Sequence, residues 1–278
     1  MNAADFSFVC DLVYQENAIV LGPGKEYLVQ TRLQGLARER GIAGVDELIR
    51  RLRAERFSSL RLAVCEAMTT NETSFFRDRA PFVALRETLI PEAIARNASR
   101  RTLRIWSAAS STGQEAYSIA ITLREHFPQL AGWDIQILGT DYTQPVLEQA
   151  SAGRYSRLDV SRGLSEPLRD RYFRADDAHW VARDTLRQLV RFQRCNLTGM
   201  WPTTEKQDII LLRNVLIYFD DETRRRILVR MSSLLHPEGA LMLGSAESPM
   251  CIHKHYTRRP LGRVLCYQPL QKRLAVAG

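Results

Sequence analysis

Short apolar runs alternate with helical patterns from residue 100 onward, and this alternation limits the folds open to the chain. The runs 103–109 (LRIWSAA), 135–138 and 208–212 (DIILL) are typical of β-strands, and each precedes a stretch with helical periodicity. Two parallel strands need a long crossover connection, which a helix usually provides. The alternation therefore predicts an α/β fold built on a parallel sheet with crossover helices.

The first 75 residues lack this alternation and are predicted to be helical throughout. One helix is expected from Lys25 to about Arg40, and a second from about Val45 to Glu55, because apolar residues recur there at helical spacing. The sequence thus predicts an all-α domain over residues 1–75, followed by an α/β domain over residues 76–278.

The alternation breaks between about residues 153 and 194. The stretch Leu186–Gln193 (LRQLVRFQ) has a period of two, and a small inserted antiparallel β-unit over 153–194 would account for it. The last apolar run, Gly262–Gln268, is expected to form an edge strand that completes the main sheet.

Charge and hydropathy limit the possible binding partners and the cellular compartment of the protein. The chain has 39 basic and 31 acidic residues, a net charge of +8, which admits nucleic acid, a membrane surface or an acidic protein as a partner. Residues 248–278 contain six basic and no acidic residues, so most of this excess lies in the terminal segment. No apolar run approaches the ~18 residues of a membrane span, and Asp5 is atypical of a secretory signal, so a cytoplasmic protein without membrane insertion is predicted.

The five cysteines are scattered and never spaced as CxxC, which disfavours both a disulfide framework and a structural zinc site. His253 and His255 are interpreted as part of a solvated tail because no further ligand lies nearby in the sequence. No metal site is expected.

Three features are predicted to meet at the carboxyl ends of the strands, where doubly wound sheets bind ligands. The small-residue turn that follows Trp106 allows close approach of a ligand, and it lacks the GxGxxG pattern of a nicotinamide dinucleotide site. Asp141, at the end of the next strand, suits ribose hydroxyls, and Glu115, in the first turn of a helix, suits a cationic group such as an α-amino group. This combination indicates S-adenosylmethionine rather than NAD or ATP. Each acid also has a structural interpretation, Glu115 as a helix N-terminal carboxylate and Asp141 as an N-cap.

Three sequence strings carry a resemblance to a known family. They are TNETSFFR (70–77), WSAASSTGQE (106–115) and RNVLIYFD (213–220), and in this order they closely resemble the bacterial chemotaxis receptor methyltransferases of the CheR family. The resemblance implies an α/β fold with a Rossmann-like methyltransferase sheet, a small antiparallel β insertion and an all-α N-terminal domain. It implies methyl transfer from S-adenosylmethionine to glutamate side chains on the cytoplasmic helices of methyl-accepting chemotaxis receptors. The products are a glutamyl methyl ester and S-adenosylhomocysteine, and no metal is required.

The resemblance also implies roles for individual residues. We interpret Arg77 as the group that orients the substrate carboxylate, because its planar guanidinium can hold one oxygen while the other attacks. Tyr218 is the second catalytic candidate, with packing at a strand end as its alternative interpretation, and Phe75 and Phe76 are expected in the core. Lys25, Arg32 and Arg38 would face the acidic receptor helices, although they do not form one clean helical stripe. The residues implied to bind the cofactor are Asn71, Thr73, Arg77, Glu115, Asp141, Asn196, Leu197, Arg213 and Asn214.

Two departures from the family pattern and two alternative functions remain at this point. The first departure is at Gly35 and Leu36, where the family pattern is more Arg-rich. The segment Asp176–Thr185 is shorter than in family members that dock on a receptor's C-terminal pentapeptide, so such a tether is not expected. A nucleic-acid methyltransferase would suit the net charge, but Leu212–Val215 stands where a base amino-methyltransferase usually has a polar-Pro-Pro-aromatic loop. A non-catalytic cofactor-binding signalling module is the second alternative. No motif identifies a regulatory protein, and a monomer is the default expectation.

Overall fold

The structure is a computed structural model that describes residues 1–55, 58–203, 205–247 and 252–270. Its first part consists of four helices packed around their own apolar core, in which Leu12, Leu33 and Leu48 are buried. The helices are α1 (Ala3–Asn17), α2 (Glu26–Glu39), α3 (Val45–Ala54) and α4 (Ser59–Ala67). The predicted helices of this region are confirmed to within one residue at each end.

A linker without regular structure leads from α4 into a helical segment before the sheet. This segment comprises α5 (Ala80–Ala84), a π-helical turn (Leu85–Leu89) and α6 (Ile90–Arg96). Phe75, in the linker, is buried with the core of the α/β part and stacks edge-on against Tyr155 and Phe173.

A seven-stranded sheet in the order β6-β2-β1-β7-β8-β10-β9 forms the centre of the α/β part. The first five strands in this order are parallel, and β10 and β9 are antiparallel. The strands are β1 (Thr102–Ala108), β2 (Asp134–Asp141), β6 (Val190–Arg194), β7 (Gln207–Leu212), β8 (Leu235–Leu243), β9 (Tyr256–Leu261) and β10 (Val264–Pro269). The predicted α/β fold with a parallel sheet is confirmed.

The crossover helices cover both faces of this sheet with apolar side chains. The crossover helices are α7 (Gln114–His126), α8 (Gln144–Ala152) and α12 (Asp221–Leu234). Each begins just after a strand and places its first turn at the carboxyl end of the sheet. In α12 the Asp220 side chain accepts a hydrogen bond from the Thr223 N–H, as expected of an N-cap.

A small antiparallel sheet interrupts the alternation, in agreement with the predicted insertion. It contains β3 (Arg154–Ser156), β4 (Phe173–Asp176) and β5 (His179–Ala182) in the order β3-β5-β4. Three short helices accompany it, α9 (Arg157–Ser161), α10 (Glu166–Tyr172) and α11 (Asp184–Arg187).

Two strand assignments from the sequence are wrong. Leu186–Gln193 is not part of the antiparallel unit: Leu186 lies in α11, and β6 pairs in parallel with β2 of the main sheet. A period of two shows that one strand face is buried, but not the direction of the neighbouring strand.

The strand at 264–269 is not the edge of the sheet, because it pairs with β8 on one side and β9 on the other. The edge is β9, where Pro260 is tolerated.

No helix among the described residues is long and apolar enough to cross a membrane.

Candidate functional site

A cleft opens where the carboxyl ends of β1, β2, β6 and β7 meet the end of α1 and the linker. It encloses a cavity of about 100 Å³, and the space reaches about 900 Å³ when its open mouth is included. All ten residues that the sequence analysis assigned to cofactor binding or catalysis line this cleft: Asn71, Thr73, Arg77, Glu115, Asp141, Asn196, Leu197, Arg213, Asn214 and Tyr218. The structure thus brings together segments up to about 150 residues apart in sequence, while the individual roles stay predictions.

One end of the cleft contains a charged cluster around the buried Arg213. The Arg213 guanidinium donates to Glu115 Oε2 at 2.7 Å and to Asp78 Oδ2 at 2.7 Å, and the second oxygen of Glu115 accepts from the Ser107 hydroxyl at 2.7 Å. Two carboxylates and one guanidinium leave a net charge of −1 in this cluster. A negative excess stabilises a ligand ammonium, and the adjacent guanidinium stabilises a ligand carboxylate, so this end suits a zwitterionic amino-acid group.

Asp141 lies at the carboxyl end of β2, in the middle of the cleft, and is almost fully buried. Burial raises the pKa of its carboxyl group, and hydrogen bonds from backbone N–H groups counteract the rise. Ser111 N–H donates to Oδ2 at 2.9 Å and Thr143 N–H donates to Oδ1 at 3.0 Å. Asp141 lines the cleft, and its carboxylate is of the acceptor type that suits hydroxyl groups such as those of a ribose.

The turn after β1 has an uncommon backbone conformation. Ala109 and Ser111 both have positive φ angles, 58° and 51°, without being glycine. The conformation directs the Ser111 N–H to Asp141, and the Ser111 hydroxyl donates to the carbonyl oxygen of Asn71 at 2.7 Å. Gly113 follows with φ 90°, and a Cβ there would lie 2.8 Å from the ring of Phe192. Such strained positions concentrate at ligand sites, where surrounding contacts maintain them.

Glu247 organises the loop after β7, and the sequence analysis missed it. Its Oε1 accepts the N–H groups of Val215 and Leu216 at 2.8 and 2.6 Å, and its Oε2 accepts those of Gly244 and Asn214, both at 2.8 Å. Asn214 has a φ of 60°, so this carboxylate stabilises a left-handed residue that lines the cleft. The only signal in the sequence is a single acid that follows the apolar run of β8.

The end of α1 closes the cleft and contacts the segments that follow β6 and β7. Asn196, after β6, donates from Nδ2 to the carbonyl oxygen of Glu16 at 2.8 Å, and its Oδ1 accepts from Thr198. Ile19 forms a β-bridge with Phe219. The side-chain amide of Asn196 therefore joins the helical domain to the α/β domain, a contact that the sequence did not reveal.

The three basic residues expected to face a receptor do not line the cleft. Arg32 lies nearest to it: its guanidinium donates to Thr69 O at 2.9 Å and to Thr70 Oγ1 at 3.2 Å, and burial lowers its pKa. Lys25 precedes α2, and Arg38 is exposed in its last turn. Arg32 thus holds the linker that leads into the cleft, and the receptor-facing role of the three residues stays a prediction.

Asp78 is a further site residue that the sequence analysis missed. Its carboxylate is the second partner of Arg213, and its φ of 66° is again positive. It directly follows Arg77, whose carbonyl oxygen accepts a hydrogen bond from Arg213 at 3.0 Å. One buried guanidinium therefore holds both the carbonyl oxygen of the Arg77–Asp78 peptide and the side chain of Asp78.

Two family models match the chain. The model described as "CheR methyltransferase, all-alpha domain" matches residues 4–69, and the model described as "CheR methyltransferase, SAM binding domain" matches residues 71–260. The second description agrees with the cofactor that the residues of the cleft suit.

Curated relatives extend the similarity over most of the chain. Chemotaxis protein methyltransferase 1 of Pseudomonas aeruginosa is 41% identical over 263 residues, which cover 92% of this chain and 95% of the relative. The chemotaxis protein methyltransferase of Vibrio parahaemolyticus is 43% identical over 233 residues, covering 83% and 84%. Chemotaxis protein methyltransferase Cher2 of Pseudomonas putida is 38% identical over 275 residues, covering 96% and 99%. The resemblance noted in the sequence is thereby confirmed: the chain belongs to the CheR family of S-adenosylmethionine-dependent chemotaxis methyltransferases.

Proposed function

We propose that this protein transfers a methyl group from S-adenosylmethionine to glutamate side chains on the cytoplasmic helices of chemoreceptors, and that it acts in the cytoplasm. The observation that carries the proposal is the position of Arg77. This half-buried residue lines the cleft near the charged cluster of Arg213, and it also lines a neighbouring groove between the segment 74–80 and the turn 260–263. A substrate carboxylate that enters from the groove meets Arg77 beside the cofactor cleft.

The chemistry demands little proton transfer. The cofactor supplies, when bound, a methyl group on a sulfonium sulfur, which a carboxylate oxygen displaces in line. A glutamate side chain with an ordinary pKa near ~4.3 is ionised at neutral pH, so no general base is needed. The protein must instead remove water from the carboxylate and align it.

Arg77 is suited to this alignment. Within the described part of the structure, Nη1 is the only guanidinium nitrogen of Arg77 that has a hydrogen-bond partner. It donates to the carbonyl oxygen of Glu72 at 2.7 Å. The other donors of the planar guanidinium can hold one oxygen of the substrate carboxylate while its second oxygen attacks. The Tyr218 hydroxyl, which lines the same cleft, is the second donor that we propose for this carboxylate.

The protein itself offers a poor methyl acceptor in the cleft. Cys195 is the cysteine that lines it, and burial raises the pKa of this thiol to about 12. At neutral pH it is therefore protonated and a weak nucleophile. An external carboxylate fits better, because it is both ionised and matched to an arginine.

The two alternative functions are less well supported. The amino group of a nucleobase needs hydrogen-bond acceptors close to the methyl donor. In the loop after β7, however, the N–H groups of Asn214 and Val215 donate to Glu247, and the Arg213 side chain pairs with two carboxylates. A non-catalytic module would not need Arg77 at the junction of cleft and groove. We therefore favour the glutamate methyltransferase.

Labelling with tritiated S-adenosylmethionine tests the proposal. We expect base-labile label on receptor protein when the enzyme is incubated with chemoreceptor-containing membranes, because carboxyl methyl esters hydrolyse in mild base. Parallel incubations with RNA and DNA are expected to stay unlabelled. Label on nucleic acid would favour the first alternative, and absence of label from every substrate would favour the second.

The variant Arg77→Ala separates catalysis from cofactor binding. We expect it to lose most receptor methylation, by about 100-fold or more, because positioning of reactants contributes several kcal/mol to a barrier. Binding of S-adenosylhomocysteine, measured by calorimetry, should survive at least in part. Arg86→Ala is the matched control, since Arg86 is exposed in an ion pair with Glu87 and lines neither the cleft nor the groove. Wild-type turnover in Arg77→Ala would remove Arg77 from the mechanism.

A further inference from the structure

Asn17 is a buried amide in the cleft that neither the sequence motifs nor the family match assigns to the cofactor. It is the last residue of α1, only 3% exposed, and it lines the cleft although it belongs to the helical domain. Its Oδ1 accepts the Ile19 N–H at 3.1 Å, which fixes the orientation of the amide group. Among the residues that the structure describes, its Nδ2 has no hydrogen-bond partner.

A buried amide donor without a partner is destabilising, and such groups in folded proteins usually have a ligand or water as partner. Helix α1 also contributes a backbone contact at this point, since Glu16, the neighbour of Asn17, accepts the hydrogen bond from Asn196. Asn17 therefore lies at the Asn196 side of the cleft. In the strand order β6-β2-β1-β7, Asn196 follows β6, Asp141 ends β2 and Arg213 follows β7. Asp141 therefore lies between the Asn196 side and the charged cluster of Arg213.

This order along the cleft specifies the ligand group at Asn17. An amino-acid end suits the cluster of Arg213 and Glu115, and a ribose suits Asp141, so the nucleobase is left for the side where Asn17 lies. Adenine presents three acceptors, the ring nitrogens N1, N3 and N7, and an amide N–H can donate to any of them.

We propose that Asn17 donates a hydrogen bond from Nδ2 to a ring nitrogen of the adenine of S-adenosylmethionine. The helical domain then takes part in selecting the cofactor, in addition to any contact with a receptor. The proposal rests on the S-adenosylmethionine-binding domain and not on the identity of the methyl acceptor.

The variant Asn17→Asp isolates the donor. It is close to isosteric and keeps an oxygen for the Ile19 N–H, but it replaces the unpartnered donor with an acceptor. Asn17→Leu removes the same donor without adding a charge, which covers the possibility that the aspartate variant folds poorly. Gln15→Ala is the matched control, because Gln15 is exposed on the same helix and does not line the cleft.

Binding of S-adenosylhomocysteine and its 1-deaza, 3-deaza and 7-deaza analogues is measured by calorimetry with each protein. The wild type and Gln15→Ala should bind one analogue about 2- to 12-fold more weakly than the parent compound, the range expected for one hydrogen bond. Asn17→Asp or Asn17→Leu should lose this difference while the ratios for the other two analogues stay unchanged. Equal binding of all four compounds by the wild type, or discrimination retained in the folded Asn17 variants, would overturn the proposal. Because no receptor is present, failure here is distinguishable from failure of receptor methylation.

Discussion

Replacing Glu247 by Gln tests whether one buried carboxylate holds the loop that follows β7. Each carboxylate oxygen accepts two backbone N–H groups at 2.6–2.8 Å, and the residue is 6% exposed. The glutamine amide keeps one acceptor oxygen, but its NH₂ group then faces two buried N–H donors. Each buried donor left unpaired costs about 1–3 kcal/mol, so we expect a loss of about 2–6 kcal/mol, a large part of the ~5–15 kcal/mol that stabilises a typical protein.

Thermal unfolding measures this loss directly. For a chain of this size, about 2–4 °C per kcal/mol predicts a fall in the unfolding midpoint of roughly 4–24 °C. S-Adenosylhomocysteine should also bind more weakly, because Asn214 lines the cleft and its backbone depends on Glu247. Glu238→Gln is the control, since Glu238 is exposed on β8. If Glu247→Gln unfolds at the wild-type temperature and binds ligand normally, the carboxylate does not maintain the loop.

Three further perturbations test other parts of the molecule. Asp141→Ala removes the carboxylate proposed to accept ribose hydroxyls, and calorimetry should show S-adenosylhomocysteine binding weakened by about tenfold or more; unchanged affinity would contradict the assignment. At Gly163 φ is 101°, and the Gly163→Ala variant would place a methyl group onto a backbone carbonyl oxygen. Urea unfolding should therefore show a larger loss of unfolding free energy than for Gly262→Ala, where φ is 58° but nothing lies within 4 Å. Equal losses would argue against the overlap. Tyr172→Phe removes the 2.6 Å hydrogen bond that contributes most to holding the pKa of the Glu125 carboxyl below 4.5. A lowered carboxyl pKa stabilises the folded state above pH 4.5, and this contribution disappears as the pH falls through the folded-state pKa. The variant should therefore lose about 1 kcal/mol of unfolding free energy at pH 7 and less in acid. A loss that does not depend on pH would exclude the linkage.

The local sequence pattern was sufficient for most of the helices and parallel strands. The apolar runs of β1, β2 and β7 were identifiable because buried parallel strands have few polar residues, and the helices between them because one face is apolar. Glu115 and Asp141 followed from the same pattern. Asp141 ends β2, and Glu115 lies in the first turn of the helix that follows β1, so nearby residues set the place of each at the carboxyl edge of the sheet.

Strand pairing was less accessible to the same reasoning. Period-two alternation identified a strand near 186–193 but not its parallel pairing with β2, and it assigned β10 to the edge that β9 occupies. Alternation records which face of a strand is buried. The choice of neighbour depends on hydrogen bonds to strands that lie far away in the chain.

The sequence by itself determined the α/β fold, the order of its elements, the family, and the acids at the ends of the strands. The tertiary structure alone revealed the contacts of Asp78 and Glu247 and the buried position of Asn17 in the cleft. Asp78 is 135 residues from Arg213, and Glu247 pairs with N–H groups more than 30 residues away. Side-chain periodicity shows only whether a residue faces the core. The partner of a buried polar group depends on where distant segments of the chain meet. At this cleft those segments come from both domains.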